Sequence, residues 1–249
     1  MRQPLIQIKG LSKNFMNNFI FKGINLSVDQ GQSLAIIGGS GQGKSVLVKC
    51  IVGLIEPDTG QIYFEGLPLK GKLKQRFMDS FGILFQGAAL FDSLPIWENI
   101  SFKFKYSGTH TSRDRRKIAQ QKLELVGLSN SNLDLYPSEL SGGMQKRVGI
   151  ARAIATNPKI LFFDEPTSGL DPIMSDTITK LIRELIKELG STAITISHDL
   201  NSIRVIADEI ALLHQGKIEW NGTLNDFEKS QNTNIREFIA PSKPSKKNQ

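Results

Sequence analysis

The chain has 249 residues, a formal net charge of +7 at pH 7, 39% hydrophobic residues and a single cysteine. Such a length fits one large domain, or a core with a modest subdomain, and one cysteine excludes an intrachain disulfide framework, so a reducing compartment is expected. No stretch approaches the ~18 consecutive apolar residues of a membrane span, and Met1, Arg2, Gln3 and Pro4 do not begin the apolar core of a signal peptide. Work at a membrane is therefore expected to go through docking. The basic excess permits contact with nucleic acid or anionic lipid without requiring either, and its clusters at 113–117 and at Lys243, Lys246 and Lys247 read as solvated surface.

Along the chain, residues 5–9 alternate as a short strand and 24–28 read as another. Ser33–Ile37 is a buried strand that runs directly into a glycine-rich turn and an apolar helix over about 43–54. Cys50 lies in that helix and is expected to be a buried thiol. Residues 56–60 form a turn, and 61–65 return as a strand. The middle, about 87–157, is richer in polar and helix-forming residues. There, 115–126 has amphipathic spacing, and a second helix is expected from Ser141 to about Ala155, ended by Asn157 and Pro158.

An apolar strand at 160–163 precedes a helix whose stripe is Ile178, Leu181, Ile182, Leu185 and Leu189, with a stop at Gly190. Residues 192–197 form a further buried strand, and 209–213 and 217–220 flank Gln215 and Gly216 as a hairpin. Apolar strands alternating with helices predict an α/β core with a mainly parallel sheet, into which the middle is inserted as a helical subdomain. The polar end beyond Ile239 is expected to be disordered.

Gly38, Gly39, Ser40, Gly41, Gln42, Gly43, Lys44 and Ser45 complete the phosphate-loop pattern GxxxxGK[ST]. Glycines let successive amides face an anion, and the following helix N-terminus adds partial positive charge. Lys44 is placed to reach the β- and γ-phosphates of ATP, and Ser45 to ligate Mg²⁺. Downstream, the apolar strand delivers Asp164 and Glu165 at its carboxyl end, where open α/β sheets bind ligands. Asp164 is expected to hold Mg²⁺ through its water shell, and Glu165 to act as general base on the attacking water.

Leu140, Ser141, Gly142, Gly143, Met144 and Gln145 resemble the LSGGQ signature of ATP-binding cassette (ABC) proteins, with Met144 preceding the glutamine. Gln86 follows an apolar run, as that family's Q-loop glutamine does. Ser168, Gly169, Leu170 and Asp171 are similar to its D-loop, His198 to its switch histidine, and Phe15 to the aromatic that stacks on adenine. The elements stand in the family's order from about residue 5 to 223. The resemblance implies an α/β P-loop NTPase fold of the ABC nucleotide-binding type at 1–224. This has a mainly parallel core sheet, an N-terminal antiparallel β subdomain and a helical subdomain at about 87–157, followed by a partly disordered C-terminal extension at 225–249.

It also implies that ATP is buried between two copies of the chain. Ser141, Gly142, Gly143 and Gln145 of one copy would complete the γ-phosphate site of the other, with Asp171 crossing the interface and His198 contacting the γ-phosphate. Gln86 would join the catalytic group, reach the Mg²⁺ and sense the nucleotide. The physical need is plain, since one copy alone leaves the γ-phosphate open to water.

Residues 86–100 (QGAALFDSLPIWENI) are similar to the ATPase of the Mla/Mce-type phospholipid transporters. This second resemblance implies a peripheral subunit on the cytoplasmic face of a bacterial inner membrane, present twice. Its partners would be transmembrane permease subunits and a lipid-binding carrier, moving phospholipid between inner and outer membranes; no nucleic-acid partner is expected. Leu90, Phe91, Leu94, Pro95 and Trp97 suit either a grip on a permease helix or the core of the subdomain. Ile235, Phe238 and Ile239 are candidate anchors for an extension that, in the resembling family, can reach the neighbouring subunit.

Other classes compete. DNA-repair and chromosome-structure ATPases separate the phosphate loop from the signature by long coiled coils, whereas under about a hundred residues intervene here. Translation-associated members carry two cassettes in one chain. An iron–sulfur assembly scaffold uses a similar cassette without a permease and is told apart by its soluble partners. Within transport, amino acids and lipoproteins are the alternative cargoes.

Overall fold

The computed structural model describes residues 4–16, 18–105 and 108–240. The disorder expected from residue 241 onward lies outside these residues. Strand β1 (Ile6–Phe15) pairs antiparallel with β2 (Asn18–Val28), from Ile6 opposite Val28 to Phe15 opposite Asn18. Buried β3 (Ser33–Ile37) feeds the glycine loop and α1 (Lys44–Ile51). Strands β4 (Thr59–Phe64) and β5 (Leu67–Pro68) then complete a four-stranded antiparallel sheet in the order β2-β1-β4-β5.

Helix α2 (Gly71–Ser80) and β6 (Phe81–Leu84) return the chain to the second sheet. Three helices follow: α3 (Ile96–Lys105), α4 (Ser112–Leu125) and α5 (Gly142–Ala153). Helix α4 starts at a capping box in which the Asp114 amide donates to the Thr111 hydroxyl and the Thr111 amide to the Asp114 carboxylate, satisfying two amides that the helix itself cannot.

Next come β7 (Ile160–Asp164), α6 (Pro172–Leu189), β8 (Thr192–Ile196), α7 (Leu200–Ile206), β9 (Glu209–His214) and β10 (Lys217–Thr223). Helix α6 stops where its sequence announced, at Gly190 (φ 60°), and its start is set by the Asp171 cap with Pro172 in the first turn. The chain then forms α8 (Leu224–Lys229) and α9 (Thr233–Ile239).

The second sheet runs β10-β9-β3-β8-β7-β6, parallel throughout except for the β9–β10 hairpin. Every residue of β3, β7 and β8 is buried, as a parallel sheet covered on both faces demands. Alternate residues feed opposite faces: Ile160 and Phe162 join the core beneath the antiparallel sheet, Leu161 and Phe163 the core beneath the helices. The parallel sheet, the separate antiparallel sheet and the helical layer match the expected fold class.

A third, smaller core lies under α7, α8 and α9, where Phe227 and Ile235 are wholly buried against Ile37, Ile203 and Ile210. The Phe227 ring lies 5.6 Å from Trp220 and 6.4 Å from Phe238. Truncating it leaves a cavity as well as lost apolar contact. Phe227→Ala is expected to cost about 3–5 kcal/mol in a urea unfolding curve. A loss below about 1 kcal/mol would show that α8 is not part of the cooperative unit.

Candidate nucleotide-binding site

The site begins where β3 ends. Gly38 (φ 152°) passes so near β9 that a Cβ there would lie 2.3 Å from the Leu213 carbonyl oxygen, and one at Gly43 (φ 91°) would lie 2.5 Å from Ile20 Cγ2. Both positions demand glycine, for contact and for backbone angle. The loop between them curls around the Lys44 ammonium, which donates to the carbonyls of Gly38 (2.8 Å) and Gly39 (2.9 Å). Burial pushes the Lys44 pKa down, and the nearby Glu165 and Asp164 carboxylates oppose that shift. A cavity of about 510 Å³ opens over residues 38–46 and is closed by Gln86, Glu165, His198, Ile20 and Phe238.

The carboxylates arrive from the neighbouring strand. Ser45 Oγ donates to Asp164 Oδ1 at 2.9 Å, joining the first turn of α1 to the end of β7. Burial raises the Asp164 pKa, and the Ser45 hydrogen bond works against that rise. A desolvated carboxylate beside a hydroxyl is a hard-oxygen pair that suits Mg²⁺. Among the described residues no cluster of three His, Cys, Asp or Glu side chains could hold a metal alone. A Mg²⁺ here would draw its remaining oxygens from phosphate and water.

Glu165 follows at once, in the left-handed region (φ 49°), with its amide donating to Ile196 O at 2.9 Å. That conformation is unfavourable for a residue with a Cβ and turns the side chain out of the strand's alternation. Its Oε2 lies 2.8 Å from His198 Nδ1. The Gln86 amide donates to Ser168 Oγ at 3.2 Å, tying the end of β6 to the loop after β7. The fold thus gathers the phosphate loop, Asp164, Glu165, Gln86 and His198 at the carboxyl ends of adjacent strands.

Other residues singled out in the sequence lie elsewhere. Ser141 and Gly142 are exposed at the start of α5, away from this cavity, with Ser141 Oγ accepting from the Met144 amide. The Gln145 amide donates to the carbonyls of Pro137 (2.8 Å) and Leu140 (3.3 Å), so it is held within its own chain. Asp171 Oδ1 accepts from the Ile173 and Met174 amides, capping α6. Phe15 ends β1, is 44% exposed and stacks with the Lys13 ammonium 5.1 Å from its ring centroid; it does not line the cavity.

The apolar cluster after Gln86 divides. Leu90 and Trp97 pack on the helical core, whereas exposed Phe91 stacks on Phe102 at 4.4 Å. Both rings line a groove of about 640 Å³ with Met78, Phe81, Phe85 and Arg152.

The sequence profile of the ABC transporter family matches residues 21–168, a span from β2 to the loop after β7. The chain belongs to this family. As an ABC cassette it is the ATP-hydrolysing subunit of a transporter. It is 37% identical to the intermembrane phospholipid transport system ATP-binding protein MlaF of Haemophilus influenzae over 243 residues, covering 96% of this chain and 91% of that protein. It is 36% identical to the methionine import ATP-binding protein MetN of Corynebacterium diphtheriae over 250 residues, covering 97% of this chain and 73% of that protein. Its fold is similar to an ATP-binding cassette solved as a dimer in a post-hydrolysis state bound to ADP and Pi, with a TM-score of 0.79 and 32% identity over 88% of this chain and 98% of that one.

Three groups of the cassette escaped sequence reasoning. Ile20 lines the nucleotide cavity from β2, far from any motif, and Phe238, singled out only as an anchor for the C-terminal extension, lines it from α9. Asn99 is wholly buried and clamps the loop before it, accepting from the Phe91 amide at 2.8 Å and donating to Leu94 O at 2.9 Å. Lys146 and Arg152, which no motif singles out, donate from α5 to the backbone of the Q-loop. Only the buried register of α5 could have hinted at them: Val148, Gly149, Ile150 and Ala151 leave that helix almost no solvent face.

Proposed function

We propose that this cassette powers a phospholipid transporter, binding MgATP between two copies of itself on the cytoplasmic face of a bacterial inner membrane. Lys44 and the amides of the phosphate loop hold the β- and γ-phosphates, and Ser45, Asp164 and Gln86 are the protein groups placed to hold Mg²⁺. Bound there, Mg²⁺ would neutralise charge on the phosphate oxygens. Glu165 accepts the proton of the attacking water as its oxygen bonds to the γ-phosphorus and the bond to the bridging oxygen breaks, leaving ADP and phosphate. His198, 2.8 Å from Glu165, orients that carboxylate and reaches toward the γ-phosphate.

The exposed start of α5 favours a site shared between copies. Ser141 and Gly142 form an exposed helix N-terminus that does not line their own cavity and is free to supply donors to a partner's phosphate, with buried Gly143 behind them. The likeness to a dimeric cassette supports the same arrangement. Beside the Q-loop, the groove floored by Phe81, Phe85, Phe91 and Phe102 fits a cytoplasmic helix of a permease with apolar side chains on one face.

For the cargo, relatives concerned with phospholipid and with methionine stand at nearly equal identity. The observation that favours phospholipid is residues 86–100, the segment between nucleotide site and docking groove, which resembles that of phospholipid transporters. The test is to isolate the complex from membranes in mild detergent and analyse what travels with it. Phospholipid bound to a carrier subunit, together with a multi-span permease, is the expected result. A methionine-binding partner, or soluble partners alone, would overturn the proposal.

A further inference from the structure

Helix α5 begins at the signature residues and, a little over one turn on, places a buried cation under the nucleotide site. Lys146 is 6% exposed, and its ammonium donates to the Gln86 carbonyl and, at 3.4 Å, to the Glu165 carbonyl. These two residues follow the ends of the neighbouring parallel strands β6 and β7, which pair up to Leu84 opposite Phe163. One side chain therefore pins both strand exits to the signature helix.

The same helix holds the rest of the loop. Arg152 donates to Ala89 O at 2.7 Å and to Ala88 O at 2.5 Å, and these two alanines adopt φ of 49° and 59°. Gly149, between the two cations, lets the helix approach so closely that a Cβ there would lie 2.6 Å from Leu84 Cδ1. Loop and helix are thus one packed unit.

Among the described residues no carboxylate lies within ion-pairing distance of Lys146. Burial lowers its pKa, while the charges of Asp164 and Glu165 oppose the shift. An apolar residue at this depth would avoid the desolvation cost of an ammonium. What the ammonium adds is a grip on the backbone of Glu165. The Glu165 amide is held from β8 through Ile196 O and its carbonyl from α5 through Lys146, so the left-handed turn that aims the carboxylate is held at both ends.

We propose that Lys146 is a positioning residue that transmits engagement of the signature with a partner's nucleotide to the Gln86 and Glu165 of its own chain. The proposal rests on the two-copy site described above. It differs from a purely structural role because Lys146 does not line the nucleotide cavity and yet lies between the signature of one site and the general base of the other. Displacing Glu165 by a fraction of an ångström acts on turnover, whereas the phosphate loop that binds ATP is untouched.

The test compares the full chain with Lys146→Met and Lys146→Arg for MgATP turnover, KM, Hill coefficient and melting temperature. Lys146→Met is expected to lower kcat about tenfold to a hundredfold, to leave KM within about twofold, and to bring the Hill coefficient down toward one. Lys146→Arg, which keeps several donors and the charge, is expected to recover most of the turnover and the cooperativity. Should Lys146→Met not fold, Lys146→Gln carries the same comparison with one neutral donor group. Unchanged kcat, a loss of kcat matched by loss of ATP affinity, or undiminished cooperativity in a folded variant overturns the role of Lys146. A non-cooperative unsubstituted chain that stays monomeric while hydrolysing ATP would overturn the two-copy site along with it.

Discussion

Glu165→Gln lowers ATP turnover about 10²–10⁴-fold and leaves ATP affinity nearly unchanged. The substitution preserves volume, and glutamine is no worse suited than glutamate to the φ of 49° at this position. Its amide still reaches His198, 2.8 Å from the present carboxylate. What disappears is the proton acceptor at the place where the attacking water must lie. A negative charge facing the triphosphate disappears as well, so the nucleotide-bound closed dimer gains stability. Single-turnover phosphate release measures the first effect, and sedimentation velocity in MgATP the second. Hydrolysis at the rate of the unsubstituted chain would remove Glu165 from the catalytic role.

Lys44→Ala acts earlier, on binding. Lys44 is 8% exposed and its ammonium is already held by two loop carbonyls, so it is pre-organised at the centre of the phosphate cradle. It is also the cation within the loop itself that faces Asp164 and Glu165. Removing it leaves an incoming tetra-anion without the cation at the centre of its cradle. Truncating one member of such a desolvated charge pair costs about 2–5 kcal/mol, a loss of about thirtyfold to several thousandfold in Kd. Equilibrium titration with a fluorescent ATP analogue reads this directly. An unaltered Kd with lowered turnover would instead make Lys44 a group that acts only in the transition state.

The sequence exposed those elements whose physics is local. Ser33–Ile37 and 160–163 read as buried strands because each is a short apolar run, and α6 carried its stripe and its stop at Gly190 in its own residues. The phosphate loop was legible because its glycines answer a contact requirement that nothing else meets, as Leu213 and Ile20 show. Helix α3 escaped notice because five of its ten residues are aromatic or β-branched and stand among charges, too short a window for a helical period to emerge. Helix α7 and β6, at seven and four residues, are shorter still.

Long-range placements were hidden for a different reason. Lys146 meets Gln86 sixty positions away, and Phe238 meets the phosphate loop only once α9 has folded back on the third core. Nothing near either residue in the chain announces its partner. Phe15, named by its place in a family pattern, sits outside the cavity of a single chain, and Gln145 is turned inward by carbonyls that no motif records.

The central claim, that ATP is hydrolysed at a site completed by a second copy, is tested most directly by the concentration dependence of specific activity. The unsubstituted chain is assayed at saturating MgATP over about a hundredfold range of protein concentration spanning the dimer Kd. Specific activity that rises with protein concentration and levels off as the dimer saturates is the result this account predicts. Specific activity that stays constant over that range, in samples that sedimentation shows to be monomeric, would contradict it.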